Sequence, residues 1–443
     1  MRKNYVKFYI FIIAILLLSS PIIYSMPNIC LTDQKNSSQS YELKNSIINP
    51  KIEVAIQMVN ESMLREFLYY LSVEIGIRVT GTYGTEKAAK YIYEQFSDMG
   101  LDTKYNYWQG FSLDIPPRFF KDKNVEATLQ GKNKSCDEIL VFNAHYDTGI
   151  TSPGAVDDGT GTAAVLTAAY VLSHFEFNRT IKFVTFSGEE EGLIGSRNYV
   201  RDIYKNDTDV LAEFNADMIG YANTAEEGRT VLVSQTEDAK WITNEIKNVN
   251  ENYGLNLNII GAWDLTAEGQ RHGSDFFDFV LHGYEAIAFW ESGGYNFAHT
   301  SNDTYEKVNF SYLVNMTKLI VASLAHMADI DVYYPQVKIG APKHGIFYIQ
   351  GRTLKEFKYE QTIVLDNIMV YADVKPGNAP IEKVVFSYDG KNKSICTEKP
   401  YAWRLNERSI GKKHTITVTV FDDLGRTASD KISFRFFNLN RKV

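Results

Sequence analysis

Apolar and polar positions along this chain follow two rhythms, which change over near residue 335. Before that point, helical and strand-like patterns take turns. Between Glu86 and Met99 the apolar residues Ala88, Ala89, Ile92 and Phe96 recur at helical spacing, and Gly100 ends the run. Residues 162–175 form an Ala/Val/Leu-rich stretch of helical length. Residues 139–142, 181–186, 211–215 and 285–290 are short apolar runs that predict buried strands. Strands alternating with helices predict an α/β layer fold with a largely parallel sheet over residues 51–334.

After Tyr333-Tyr334-Pro335 the helical spacing vanishes. Thr415 to Val420 alternates strictly, which puts Ile416, Val418 and Val420 on one face. Asp389-Gly390 and Leu424-Gly425 supply turns. Several short strands over residues 335–443 predict a small all-β sandwich of immunoglobulin type, with Tyr401 and Trp403 in its core.

The N-terminus has a third character. Arg2, Lys3 and Lys7 precede the apolar run Phe8 to Leu18, the arrangement of an export signal. The run is shorter than the ~20 apolar residues of a membrane span. Residues 1–28 are therefore expected to be a signal peptide or an uncleaved membrane anchor, and the Ser/Asn-rich residues 29–50 a polar linker. Nine N-x-Ser/Thr triplets, Asn60 and Asn178 among them, agree with a secreted or cell-surface protein.

Composition narrows the chemistry. With 443 residues, two or three domains are expected, and 44% hydrophobic residues suffice to build their cores. The net charge of −8 with no basic block excludes a nucleic-acid reader. The three cysteines, Cys30, Cys136 and Cys396, lie far apart without a CxxC pair, so neither a disulfide framework nor a thiolate metal site is indicated. A metal here would need imidazole and carboxylate ligands.

Such residues fall where α/β sheets place their chemistry, at the carboxyl ends of strands. After 139–142 comes Asn143-Ala144-His145-Tyr146-Asp147, and a loop then carries Asp157-Asp158-Gly159 into the Ala-rich helix. Glu189-Glu190-Glu191 follow 181–186, Asp217 follows 211–215, and His299 with Asp303 follow 285–290. Singly, these read as a core histidine, a turn, a solvated charge run, a helix cap and a loop hydrogen bond. Together they are the nitrogen and oxygen donors of zinc, and two such ions bridged by a carboxylate and a water make a hydrolytic centre.

Six ordered segments, "NAHYDTG", "PGAVDDGTGTAAVL", "SGEEEGLIGSRNYV", "NADMIG", "GSDFFDF" and "HTSNDT", resemble the co-catalytic di-zinc aminopeptidase family, whose relatives include glutamate carboxypeptidases and glutaminyl cyclases. "RVTGTYGTEKAAKYI" is similar to the family's opening, so the resemblance spans about residues 60–330. It implies a three-layer α/β/α zinc exopeptidase domain with a mostly parallel sheet. It also implies two zinc ions: His145 and Asp217 on one, Glu190 and His299 on the other, and Asp157 bridging. Asp147 would support His145, and Glu189 would be the general base. Glu191 has no role in this scheme and reads as a solvated or supporting acid.

The implied activity is that of an exported metallo-aminopeptidase, acting on peptides with a free N-terminus. A carboxypeptidase or other amidohydrolase with the same centre, and a catalytically silent surface-binding module, are the alternatives. Where family members carry an oxyanion-steadying tyrosine, this chain has Ala298 and Arg271; Arg271, His272 or Tyr295 are the substitutes. The C-terminal domain is expected to contact a cell surface or partner, or to stabilise the enzyme.

Overall fold

A computed structural model describes residues 48–439, apart from 113–114, 135, 237–238, 265–272, 331–334, 358–360, 378 and 424–425. The export segment therefore lies outside the described residues, as do Arg271, His272 and the Leu424-Gly425 turn. Among the described residues no helix is long and apolar enough to cross a membrane.

The chain opens with helices α1 (Pro50–Met58) and α2 (Glu61–Tyr69), a π-helical turn (Tyr70–Ile75) and α3 (Tyr83–Asp98). Strands β1 (Asp102–Phe111) and β2 (Phe119–Leu129) pair as an antiparallel hairpin. Then come β3 (Ile139–His145), α4 (Thr160–Leu172), β4 (Thr180–Phe186), α5 (Ile194–Lys205) and β5 (Val210–Ala216). The rest of this region is β6 (Thr230–Gln235), α6 (Lys240–Asn252), β7 (Asn258–Asp264), α7 (Phe276–Leu281), β8 (Ala286–Glu291) and α8 (Phe310–Asp329).

Eight strands form one sheet in the order β1-β2-β4-β3-β5-β8-β6-β7. Its centre is parallel, from β4 through β3 and β5 to β8, while the hairpin and the β8–β6 pair run antiparallel. Side chains of the central strands divide by period two between two cores. Leu140, Phe142, Ile181 and Phe183 join α1–α4, α6 and α8 on one face; Val141, Val184 and Phe186 join α5 and α7 on the other. Each such buried Leu or Phe contributes roughly 1.5–3 kcal/mol. Helix α4 is buried on nearly every side, with only Tyr170 exposed, which is why its sequence lacks a polar stripe. The result is the expected three-layer α/β arrangement.

Between Asp329 and Gln336 the chain turns from helices to strands. Among the described residues ten strands follow: β9 (Gln336–Ala341), β10 (Ile346–Ile349), β11 (Arg352–Glu356), β12 (Thr362–Leu365), β13 (Ile368–Lys375), β14 (Ile381–Tyr388), β15 (Lys391–Cys396), β16 (Ala402–Leu405), β17 (Ser409–Asp422) and β18 (Thr427–Asn438). They form sheets of seven and three strands around one core that includes Val364, Phe386, Leu405 and Phe436. Ile416, Val418 and Val420 all point into that core, and Asp389-Gly390 turns the β14–β15 hairpin with both residues at positive φ. Asp209, just before β5, accepts from Lys338 and Lys375, so this β region docks at the amino ends of the parallel strands. The carboxyl ends lie on the opposite side of the sheet.

Candidate metal centre

Parallel pairing of β4, β3, β5 and β8 brings four strand ends together. His145 is the last residue of β3, and its fully buried ring is fixed through Nδ1, which lies 3.2 Å from the carbonyl oxygen of Asp147. That carbonyl accepts a hydrogen bond from Nδ1–H, which turns Nε2 toward the acids of the cleft. Nε2 sits 3.3 Å from Asp157 Oδ1 and 3.7 Å from Asp217 Oδ1. His299 approaches from the other side, its Nε2 3.1 Å from Asp157 Oδ2 and 3.2 Å from Glu190 Oε2. The carboxylate of Asp157 thus puts one oxygen toward each histidine.

The Asp147 carboxylate serves the neighbouring loop more than the imidazole. It lies 3.6 Å from His145 Nδ1, but accepts from Thr80 Oγ1 at 2.7 Å and from the amides of Glu189 and Glu190 at 3.3 Å each. It therefore orients the two glutamates that follow β4. On the His299 side, Gly149 allows a close approach, because a Cβ there would meet His299 Cα at 3.3 Å.

Two groups of donor atoms emerge, each within 4.8 Å of one another: His145, Asp158 and Asp217, and Asp157, Glu190 and His299. All five residues expected as ligands are present, with Asp147 and Glu189 beside them. Asp158 is the addition. Adjacent to Asp157 in sequence it reads as a turn residue, but the backbone sends its side chain to the His145 group. Its Oδ1 accepts from the Gly161 and Met218 amides.

The electrostatics are those of crowded acids. Burial, with Asp157 next, pushes the Glu190 carboxyl up to about 8. Burial also raises Glu189 well above the carboxylate range, against the pull of His145 and with the push of Asp217, Asp275 and Glu190. Burial and then Asp217 raise Asp158 in the same way. Burial opposes charge on His145, but Glu189 and the contacts to Asp147, Asp157 and Asp217 outweigh it and raise the imidazole well above its ordinary value. The hydrogen bond to Asp157 carries His299 up to about 9 against burial. Asp157 is itself held low: its two histidines overcome its burial.

Three buried oxygens of these groups, Asp158 Oδ2, Glu190 Oε1 and Asp217 Oδ1, have no hydrogen-bond partner. Buried carboxylate oxygens without partners, one in each of three residues around two imidazoles, fit a pair of divalent cations that favour nitrogen and oxygen donors.

One expectation narrows and one changes. Of its two readings Glu191 is the supporting acid, not the solvated one: its side chain is 9% exposed and accepts from Arg118 at 2.6 Å, a partner 73 positions away on the β1–β2 hairpin. Tyr295 is not free to steady an oxyanion, because its hydroxyl donates to Asp303 at 2.7 Å. The other two substitutes, Arg271 and His272, lie outside the described residues. Sequence reasoning also passed over Asp275, within its "GSDFFDF" segment. This acid is fully buried, with both carboxylate oxygens unpartnered, and burial raises it to about 7.

Residues 124–324 match the sequence profile of Peptidase family M28. Over 284 residues the chain is 26% identical to "Aminopeptidase Y" of Saccharomyces cerevisiae, an alignment covering 61% of this chain and 50% of that protein. Over 99 residues it is 36% identical to "Aminopeptidase YwaD" of Bacillus subtilis, covering 22% of each. The chain thus spans half or less of the length of these curated relatives. Among solved structures, the LapA aminopeptidase of Legionella pneumophila superposes with a TM-score of 0.55 at 22% identity, over 66% of this chain and 78% of that one. This likeness establishes a shared fold.

Proposed function

We propose that this chain, whose residues 124–324 match Peptidase family M28, is an exported zinc aminopeptidase that removes N-terminal residues from peptides. The observation that carries the reading is the placement of Asp157, with one oxygen 3.3 Å from His145 and the other 3.1 Å from His299. His145, Asp158 and Asp217 would hold one zinc, Glu190 and His299 the other, and Asp157 would reach both. Zinc held there would supply Lewis acidity at a scissile carbonyl and lower the pKa of a bound water.

The protein's own residues do the rest. Glu189, raised by burial and carried on a loop whose amide Asp147 holds, accepts a proton from the attacking water and delivers it to the leaving nitrogen. A free α-amine would add a nitrogen donor to a zinc site otherwise held by imidazoles and carboxylates, which favours substrates with an unblocked N-terminus. Export is supported by Arg2, Lys3 and Lys7 ahead of the apolar run Phe8 to Leu18.

A panel of aminoacyl anilides, each with a free and an N-acetylated amine, tests this with the zinc-loaded protein. Cleavage of the free-amine forms alone, abolished by a chelator, is the expected result. Cleavage of both forms would replace the aminopeptidase by a broader amidohydrolase. Cleavage of C-terminal residues instead would make it a carboxypeptidase, and no hydrolysis of any substrate would leave a binding module.

A further inference from the structure

We propose that Asp303, steadied by Tyr295, is the positioning residue that sets the donor group of Asp157, Glu190 and His299, and so governs the affinity of one metal ion of the pair more than the other. The inference rests on the reading of this site as a zinc centre.

Three successive amides of the loop that carries Asp157 converge on one fully buried residue. Ala155 N–H donates to the Asp303 main-chain oxygen at 3.2 Å, Val156 N–H to Oδ1 at 2.8 Å, and Asp157 N–H to Oδ2 at 3.1 Å. The carbonyls just before them face the opposite charge. The guanidinium of Arg78, also fully buried, donates to Pro153 at 2.7 Å and Gly154 at 2.8 Å. The loop is thus suspended between a buried cation and a buried anion. Gly154 is required at the turning point, at φ +61, where a Cβ would lie 2.1 Å from Thr148 Cγ2 and 2.8 Å from Arg78 Nη2.

Asp303 stands four residues after His299, and its amide closes the same short turn by donating to Thr300 at 3.2 Å. Gripping the Asp157 loop from there fixes the 3.1 Å approach of Asp157 Oδ2 to His299 Nε2. Tyr295 completes the clamp: its hydroxyl donates to Oδ1 at 2.7 Å, and its ring rests on Tyr221 and Phe297 at 4.7 and 5.5 Å between centroids. Ser152 Oγ reaches Oδ2 at 3.4 Å.

The other donor group is built differently. His145 ends β3, Asp217 follows β5 with its amide bonded to the Phe289 carbonyl, and Asp158 is held by the amides of Gly161 and Met218. None of these contacts involves Asp303; the clamp reaches this group only through Asp157, whose other oxygen faces His145, and through its neighbour Asp158. Loosening the clamp therefore disturbs the group of Asp157, Glu190 and His299 the most. Groups that orient metal ligands from behind alter metal affinity by roughly 10–100-fold when removed.

The test is a zinc titration of the full-length protein against a chromophoric chelator, for wild type, Tyr295→Phe and Asp303→Asn. The zinc-dependent rise in thermal midpoint gives a second readout. Wild type is expected to take up two zinc ions. Tyr295→Phe should weaken one of them about tenfold and leave the other within about twofold, and Asp303→Asn should weaken the same one by up to about 100-fold. Should Asp303→Asn fail to fold, Tyr295→Phe carries the test. Equal weakening of both ions, or two unchanged ions in Tyr295→Phe, would overturn the inference and leave the zinc reading standing. A wild type that binds fewer than two zincs would sink the zinc reading and the inference together.

Discussion

Two histidine–carboxylate clusters in this molecule invite comparison. One is the centre at the strand ends of the α/β region. The other lies in the β region, where Ser409 Oγ is 2.8 Å from His414 Nε2 and His414 Nδ1 is 2.7 Å from Asp389 Oδ2. By distance alone the second is the better match to a nucleophile, base and orienting acid in line. Its exposure runs the wrong way: Ser409 is 5% exposed, while the Asp389 side chain is 46% exposed at a hairpin turn. Its needs are also met, since Asp389 Oδ1 accepts from Thr415 N–H and the His414 ring stacks on Tyr388 at 4.9 Å. In the first cluster three buried carboxylate oxygens have no partner. A buried polar group without a partner costs about 1–3 kcal/mol. A fold keeps several together where a ligand pairs with them, so this unmet polarity favours the first cluster as the proposed metal site over the second, despite the better triad distances there.

The sharpest way to break the comparison is to remove the proposed proton carrier from the first cluster. Glu189→Gln keeps the shape of the side chain and abolishes its basicity. Hydrolysis of the preferred anilide should fall by about 10²–10⁴ in kcat, with two zincs still bound. Turnover retained within about tenfold would remove Glu189 from the role, and lost zinc would make it a ligand instead.

Next in size is a dependence on pH that only the first cluster should produce. His299 is raised from 6.5 to about 9 and Glu190 from 4.5 to about 8. Both hold protons more tightly in the fold than in the unfolded chain, so their contribution to metal-free stability is full at low pH. Glu190's is lost from pH 4.5 through about 8, and His299's from 6.5 through about 9. Asp157, held low, acts in the opposite sense but at more acid pH. Zinc competes with protons for the same atoms, so its affinity should climb over the same interval. Thermal midpoints recorded between pH 6 and 9, with and without zinc, should show a gap that widens with pH; a constant gap would contradict the assignment of Glu190 and His299 as ligands.

How much of this was legible beforehand depends on how far apart in sequence the partners lie. His145, Asp217 and Glu190 follow apolar runs directly, so strand periodicity alone puts them at one sheet edge. The alternation at Ile416, Val418 and Val420 likewise announced the β region. Asp158 was not legible as a donor, since which of two adjacent aspartates faces which histidine is decided by the backbone between them. Glu191 looked like a solvated charge because its partner, Arg118, is brought to it only by the packing of the β1–β2 hairpin. That hairpin itself escaped notice: Tyr107 and Phe111 are exposed on it, so β1 shows no clean apolar face. Residue type marks Tyr295 only as a hydroxyl donor; that the donor is taken by an acid eight positions on is decided by the fold.

The smallest predicted effects belong to the second cluster, where they separate its two readings. If Ser409, His414 and Asp389 only tie β17 to the β14–β15 turn, His414→Ala should lower stability by about 1–2 kcal/mol, through two lost hydrogen bonds and a lost ring contact. Ser409→Ala, which removes one bond but leaves the ring stacked, should lower it by about 0.5–1.5 kcal/mol. Denaturant unfolding of the full chain measures both, and anilide hydrolysis should match wild type in each variant. The contrast with Glu189→Gln lies in which quantity moves: stability here, turnover there. An ester hydrolysis that resists chelators and disappears in Ser409→Ala would reverse the comparison. It would make the solvent-facing Asp389 and the enclosed Ser409 a working pair despite their exposures, and would require β17 to open before each turnover.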